Sequence, residues 1–306
     1  MTAPTPPHDV LELPDHHVSL DLGETVPAIR RMYRAAVKTA WDPETAIPWD
    51  EVNPEQYSPE VIEAARVYWS RRAWGEYGAI SESPAMQFRY VLEGREPDLS
   101  LFWALRTQEE VRHAEVCMRM ADALGGYHLQ PSDEELKAIA GALGTRARVL
   151  DRSRPLEVTI AGLVCVAETV VYDVFLELVR AATNPVAKQI FRLILRDEVR
   201  HCDFGWEYLA HRAPQMSADE LEDCRQAMIS MIRDVELAGY RSAWLAVDPT
   251  PEEVAVDELV FDAGLGGVRA EWEGPIVVAS IRAIRGRAAG LGLELPTFQH
   301  HLLGEI

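Results

Sequence analysis

The stretch EEVRHAE at residues 109–115 is echoed by DEVRHCD at 197–203. Each sets a glutamate three residues before a histidine, Glu110 before His113 and Glu198 before His201. Residues three apart on an α-helix share a face one turn apart, so each pair offers a carboxylate and an imidazole to one point. A single pair means little among 49 acidic residues and nine histidines, because most Glu-x-x-His spacings are solvated helix faces. Here each pair also follows another glutamate: Glu76 stands 34 residues before Glu110, and Glu168 stands 30 before Glu198. That separation is one long helix, a turn and a return. Glu82 competes with Glu76 but stands only 28 residues before Glu110, short for the return. Four carboxylates gathered in a dry interior cost too much without cations, and two divalent ions would bring +4 against −4. The chemistry predicted is a dinuclear metal site on Glu76, Glu110, His113, Glu168, Glu198 and His201. Such carboxylate and imidazole donors suit iron and manganese.

The residues between and beyond these six extend the reading. Glu109 and Asp197 directly precede the ligand glutamates and are expected to accept the outer N–H of a ligating imidazole. Arg112 and Arg200 would balance their charge; such contacts fix the tautomer and orientation of a metal-bound histidine. One turn past the ligands come Ile80, Cys117, Tyr172 and Gly205. Tyr172 and Cys117 are candidate catalytic groups on the pocket wall. Ile80 and Gly205 are candidates for the substrate pocket, Gly205 because it leaves room. Arg72 and Arg106, one turn before Glu76 and Glu110, either face a substrate carboxylate or face water. His16, His17, His300 and His301, near the chain ends, read as solvated.

The elements that must position these groups are helical. Apolar residues recur every three or four positions over residues 23–41, 60–81, 98–126, 155–183, 184–213 and 217–246, and again from Pro251 to about Gly290. Gly125-Gly126, Asn184-Pro185 and Pro214 punctuate them, and Ser217 with Glu220 forms a capping-box pattern. The fold class is all-α. Residues 1–22 read as a Pro-rich flexible arm, 23–246 as the metal-binding bundle, and 247–306 as a helical extension packed on it. A glutamate from each of two helices and a Glu-x-x-His from each of the other two is the di-iron carboxylate arrangement of four-helix bundles. The net charge of −19 argues against nucleic acid as a partner. No uninterrupted run of about 18 apolar residues suggests a membrane span. The N-terminal residues do not read as a secretory leader. Four scattered cysteines read as free thiols, so the expected location is the cytoplasm.

GEYGA, EEVRHAE, VAETVVYD and RDEVRHCDFG together resemble the ferritin-like superfamily of non-haem di-iron proteins. The likeness is greatest to the ribonucleotide-reductase-like ligand-binding oxidases, helped by WDPETAIPW ahead of the first metal helix, and it covers roughly residues 25–245. It implies a ferritin-like four-helix bundle core with additional N- and C-terminal helices, and two Fe ions or a Mn/Fe pair. It further implies O2 as co-substrate, an external electron donor such as a reductase, a small organic substrate and a homodimer. The radical-storing reductase subunits carry a tyrosine where this chain has Cys117. The ligand-binding oxidases have a cross-linked tyrosine where it has Leu163, and the arylamine N-oxygenases a further histidine where it has Ile194. The expected activity is that of an oxidase or oxygenase that hydroxylates, N-oxygenates or desaturates a small molecule. The alternatives are iron oxidation without an organic substrate, and a radical or electron-transfer subunit acting with a partner.

Overall fold

The computed structural model describes residues 23, 25–127, 149, 151 and 153–306. The arm expected at 1–22, with His16 and His17, lies outside the described residues. Six helices carry or flank the centre: α1 (Pro27–Thr39), α2 (Pro59–Leu92), α3 (Pro97–Ala123), α4 (Leu156–Ala181), α5 (Pro185–Arg212) and α6 (Ala218–Met231). Two more follow, α7 (Pro251–Asp262) and α8 (Ala270–Ala289), then a two-residue antiparallel pair, Gln299–His300 with Gly304–Glu305. α2 packs along α3 and α4 along α5, and α3 meets α5 between the two pairs. α1 lies on α3 and α5, α6 on the first half of α4, α7 on α2 and α8 on α4.

The chain makes each hairpin of the core with ordinary local chemistry. Gly94, at φ 61°, turns α2 toward α3. Asn184 caps α5 by accepting from the backbone N–H of Val186 and Ala187, both at 3.0 Å. Ser217 and Glu220 close the expected capping box on α6. Beside the Gly94 turn, buried Asp98 accepts from the backbone N–H of Thr25 and Val26 at 2.8 Å and pairs with Arg30, which ties α1 to α3.

Four local expectations change. Helix α2 does not end at residue 81 but runs through Pro84 to Leu92; its length, about 50 Å at 1.5 Å per residue, gives α3 a full partner. α4 is not uniformly α: residues Ile160–Ala167 form a π-helix directly ahead of Glu168. α6 passes into a second π segment, Ile232–Glu236, and then stops. The break follows at Gly239, whose φ of 90° and 2.7 Å approach to Ala246 leave no space for a side chain. His300 is not solvated; it is buried, donates from Nε2 to the Leu245 carbonyl at 2.9 Å, and accepts at Nδ1 from Leu302 and Leu303. Helix α4 also corrects the reading of hydropathy. Its 26 residues are long and apolar enough to cross a membrane, yet it is mostly buried among the other helices and carries Glu168 inward.

Gly205 is corrected by the same packing. A Cβ placed there would meet Val164 Cγ1 at 2.9 Å, Cys165 Sγ at 3.0 Å and the Cys165 backbone nitrogen at 3.1 Å. The space its missing side chain leaves is filled by the π segment of α4, so Gly205 sets how closely α5 approaches α4 and does not open a pocket. Gly205→Leu gains up to ~1 kcal/mol of helix propensity but loses ~1–3 kcal/mol to overpacking. The variant is expected to unfold at lower urea concentration than the parent, and an unchanged midpoint would contradict the contact.

Candidate metal centre

The six side chains singled out by spacing converge between the two helix pairs. α2 supplies Glu76, α3 Glu110 and His113, α4 Glu168, and α5 Glu198 and His201. Their donor atoms form two groups, Glu76–Glu110–His113–Glu198 and Glu110–Glu168–His201, within each of which all lie no more than 4.8 Å apart. Glu76 is partly exposed and the other five are buried. The two imidazole rings stand 6.0 Å apart.

Glu110 belongs to both groups, and Glu198, of the first, also reaches the histidine of the second. Glu198 sets Oε1 3.3 Å from His113 Nδ1 and Oε2 3.0 Å from His201 Nδ1. Glu110 sets Oε2 3.5 Å from His113 Nδ1 and Oε1 3.4 Å from His201 Nδ1. Each bridge thus offers one oxygen to each histidine. Glu76 Oε2, 3.8 Å from His113 Nδ1, serves one side; Glu168 serves the other. Both histidines point Nδ1 inward, and the buried Nδ1 of His113 has no hydrogen-bond partner. Inward Nδ1 atoms facing shared carboxylates would, once deprotonated, fit two divalent cations, and the donor types fit iron or manganese.

The outer nitrogens are paired across helices. His201 on α5 faces Glu109 of α3, Nε2 to Oε2 at 2.9 Å, and His113 on α3 faces Asp197 of α5, Nε2 to Oδ2 at 3.4 Å. Neither acid serves the histidine of its own motif. Arg200 pairs with both acids, and Arg112 lies 3.4 Å from Asp197. All four residues are buried, so these are not surface ion pairs. Sequence reasoning missed Trp41, in the loop before α2. Its Nε1–H donates to Asp197 Oδ2 at 2.8 Å, and its ring stacks 6.4 Å from that of His113 under the Arg112 guanidinium. The signal was its place in WDPETAIPW. Removing an outer partner of a metal-bound histidine costs about 10–100-fold in metal affinity. Trp41→Phe, which removes only a partner of that partner, is expected at the low end, about tenfold, by competition with a chelator.

Burial and neighbouring charge set the protonation of the metal-free site. Burial pushes Glu76 up, and Glu168 up to about 7, against the pull of Arg72 on the first and Arg106 on the second. Burial also opposes charge on Glu110 and Glu198, yet Arg106 and His113 hold Glu110 below its ordinary range, and His201 and His113 hold Glu198 well below it. The histidines move the other way: burial resists, but Glu198, Glu109 and Glu110 raise His201 to about 10, and Asp197, Glu110 and Glu198 raise His113 well above its usual value. Without metal, positive charge therefore sits on imidazolium and guanidinium groups.

The remaining candidates divide. Cys117 is fully buried beside Glu76, Arg72 and His113, and burial next to Glu76 pushes its thiol up to about 12, so it is a neutral wall of the site. Tyr172 is half-buried against the apolar core, and among the described residues no hydrogen bond joins it to the ligands. Ile80 is half-buried on α2. Arg72 and Arg106 both face the ligands: Arg72 lies 2.9 Å from Glu76 Oε1, and Arg106 bonds Glu110 and Glu168. Phe102, stacked on Phe204 at 3.8 Å and edge-on to His201 at 6.2 Å, walls the site on its other side.

No protein-family model matches the chain, and comparison with curated proteins finds no match. Solved structures do match. An R2-like ligand-binding oxidase with an aerobically reconstituted metal cofactor after photoconversion superposes with a TM-score of 0.69 at 15% identity, over 89% of this chain and 98% of that one. A point mutant of an R2-like ligand-binding oxidase with an aerobically reconstituted Mn/Fe cofactor gives 0.64 at 15% identity, over 90% and 98%. The ribonucleotide reductase R2 subunit from Clostridium botulinum gives 0.59 at 14% identity, over 88% and 83%. The fold is the ferritin-like helical bundle that these R2-like proteins share.

Proposed function

We propose that the chain is a dinuclear non-haem metalloenzyme, with Fe/Fe or Mn/Fe, that uses O2 to oxidise a small organic molecule. The observation that supports this most is the pair of carboxylates, Glu110 and Glu198, each reaching both histidines inside a dry bundle and so placed to be shared by two metals. When bound and reduced, two such metals supply two electrons to O2 together. The protein's own part is positional. Glu109 and Asp197 hold the outer imidazole nitrogens and so keep both Nδ1 lone pairs inward. Phe102 and Phe204 keep water off the His201 side, and Cys117 does so on the Glu76 side. Cys117 holds its proton tightly, which suits direct oxidation of a substrate better than storage of a side-chain radical for a partner. Two of the three similar structures are R2-like ligand-binding oxidases, in keeping with a small molecule held near the metals.

The test is anaerobic loading with ferrous iron, addition of candidate amines, acids and hydrocarbons, and then O2, with product followed by mass. The expected result is one organic compound gaining oxygen or losing two hydrogens per O2 consumed. O2 uptake that follows only the amount of added iron, whatever organic compound is present, would move the assignment to iron oxidation.

A further inference from the structure

Arg106 and Glu82 are both buried, and neither belongs to the six ligands. Arg106 reaches only one half of the centre. Its Nη2 bonds Glu168 and lies 2.9 Å from Glu110 Oε1, the oxygen that faces His201. Glu110 Oε2, which faces His113, is left to the other side. The guanidinium therefore holds the oxygens that the metal beside His201 would need, while the group around His113 keeps its donors. Arg72 does not do the equivalent there: it holds Glu76 Oε1 and leaves Oε2 toward His113.

A divalent cation bound at the position beside His201 would displace Arg106 from both carboxylates and leave a buried charge unpaired, which is strongly unfavourable. The structure holds a replacement partner. Arg106 Nη1 already donates to Ser83 Oγ at 2.7 Å, and Glu82 is the next residue on the same helix, within the field of Arg106, Glu168 and Glu110. No hydrogen bond to the Glu82 carboxyl is seen among the described residues. The charges then close: four glutamates against two divalent ions, and Glu82, its proton released to solvent, against Arg106.

We propose that Arg106 and Glu82 form an exchange pair, in which Arg106 guards the metal position beside His201 and moves to Glu82 when that position fills, so that the two metals load in order, the His113 side first. This rests on the two-metal reading above. The test is calorimetric titration of the full metal-free chain with manganous ion alone, with bound Mn counted by electron paramagnetic resonance. The wild type is expected to take up Mn in two steps. Glu82→Gln, nearly isosteric, should weaken the second step about tenfold or more and leave the first unchanged, because the displaced guanidinium then lacks a charged partner. Arg106→Met should tighten the second step, and on that background Glu82→Gln should have no further effect, the signature of coupled residues. A second step unchanged in Glu82→Gln overturns the exchange while leaving the two-metal site intact. Weakening of the second step in Arg106→Met also overturns it, by making Arg106 a buttress. Wild-type uptake that saturates at one Mn would overturn the exchange and the two-metal reading together.

Discussion

Glu110→Ala is expected to empty both metal positions, whereas Glu168→Ala should empty one. Glu110 offers Oε2 toward His113 and Oε1 toward His201, so its loss strips a donor from each group. Glu198 likewise sets one oxygen toward each histidine, and Glu198→Ala should match it. Glu168 belongs only to the group of His201. Elemental analysis after anaerobic loading with ferrous iron should therefore fall from about two metals per chain to well under one in the bridging variants, and to about one in Glu168→Ala. Equal losses in all three would mean that the carboxylates are not shared as the distances require. The same loading should be visible in stability, because the metals bind the folded site and scarcely the unfolded chain. At a free concentration one hundred times the dissociation constant, each adds ~2.7 kcal/mol, and two together should raise the melting temperature by roughly 8 °C.

Metal binding is expected to release protons and to tighten steeply as pH rises. In the metal-free chain His201 holds its proton up to about 10 and His113 well above its ordinary value, and Glu168 titrates near 7. A metal must displace all of these. Between pH 6 and 8 about two protons should leave per pair of metals, so overall affinity should gain up to about 100-fold per pH unit. Calorimetry in buffers of different ionisation enthalpy measures the release directly, and a value near zero would show that the imidazoles are already neutral.

The stability of the metal-free chain should run the opposite way. A group whose pKa is higher folded than unfolded stabilises below its unfolded value, and that stability is lost as pH rises to the folded one. For Glu168 the window runs from 4.5 to about 7, and for His201 from 6.5 to about 10. Glu110 and Glu198, held low, contribute above the usual carboxylate range and lose that contribution only as acid protonates them. The gap in melting temperature between loaded and metal-free protein should therefore widen from pH 6 to pH 9. A constant gap would count against charged histidines in the metal-free site.

The convergence of the six candidate side chains was legible in the sequence because its information is local. An offset of three positions from Glu110 to His113, and again from Glu198 to His201, puts donors on one helix face whatever the fold, and 34 or 30 residues to the preceding glutamate is the length of a helical hairpin. The acids beside the ligands were legible for the same reason, as to type. Which histidine each one serves was not: Glu109 reaches His201 and Asp197 reaches His113 because α3 and α5 face each other, and no spacing along either helix encodes that. Trp41 meets Asp197 across 156 residues, a contact that only the packed loop creates. Gly205 suggested open space, since a missing side chain looks the same in a sequence whether a ligand or a neighbouring helix takes its place; Val164 and Cys165 take it. The π segment ahead of Glu168 was read as ordinary helix, because eight apolar residues satisfy either winding and the packing of α5 and α6 against it selects between them. Arg106 could have faced solvent or substrate by its position one turn before Glu110. Tertiary structure turns it inward, onto the oxygens of two glutamates from different helices, because a buried guanidinium must find carboxylates and these are the ones within reach.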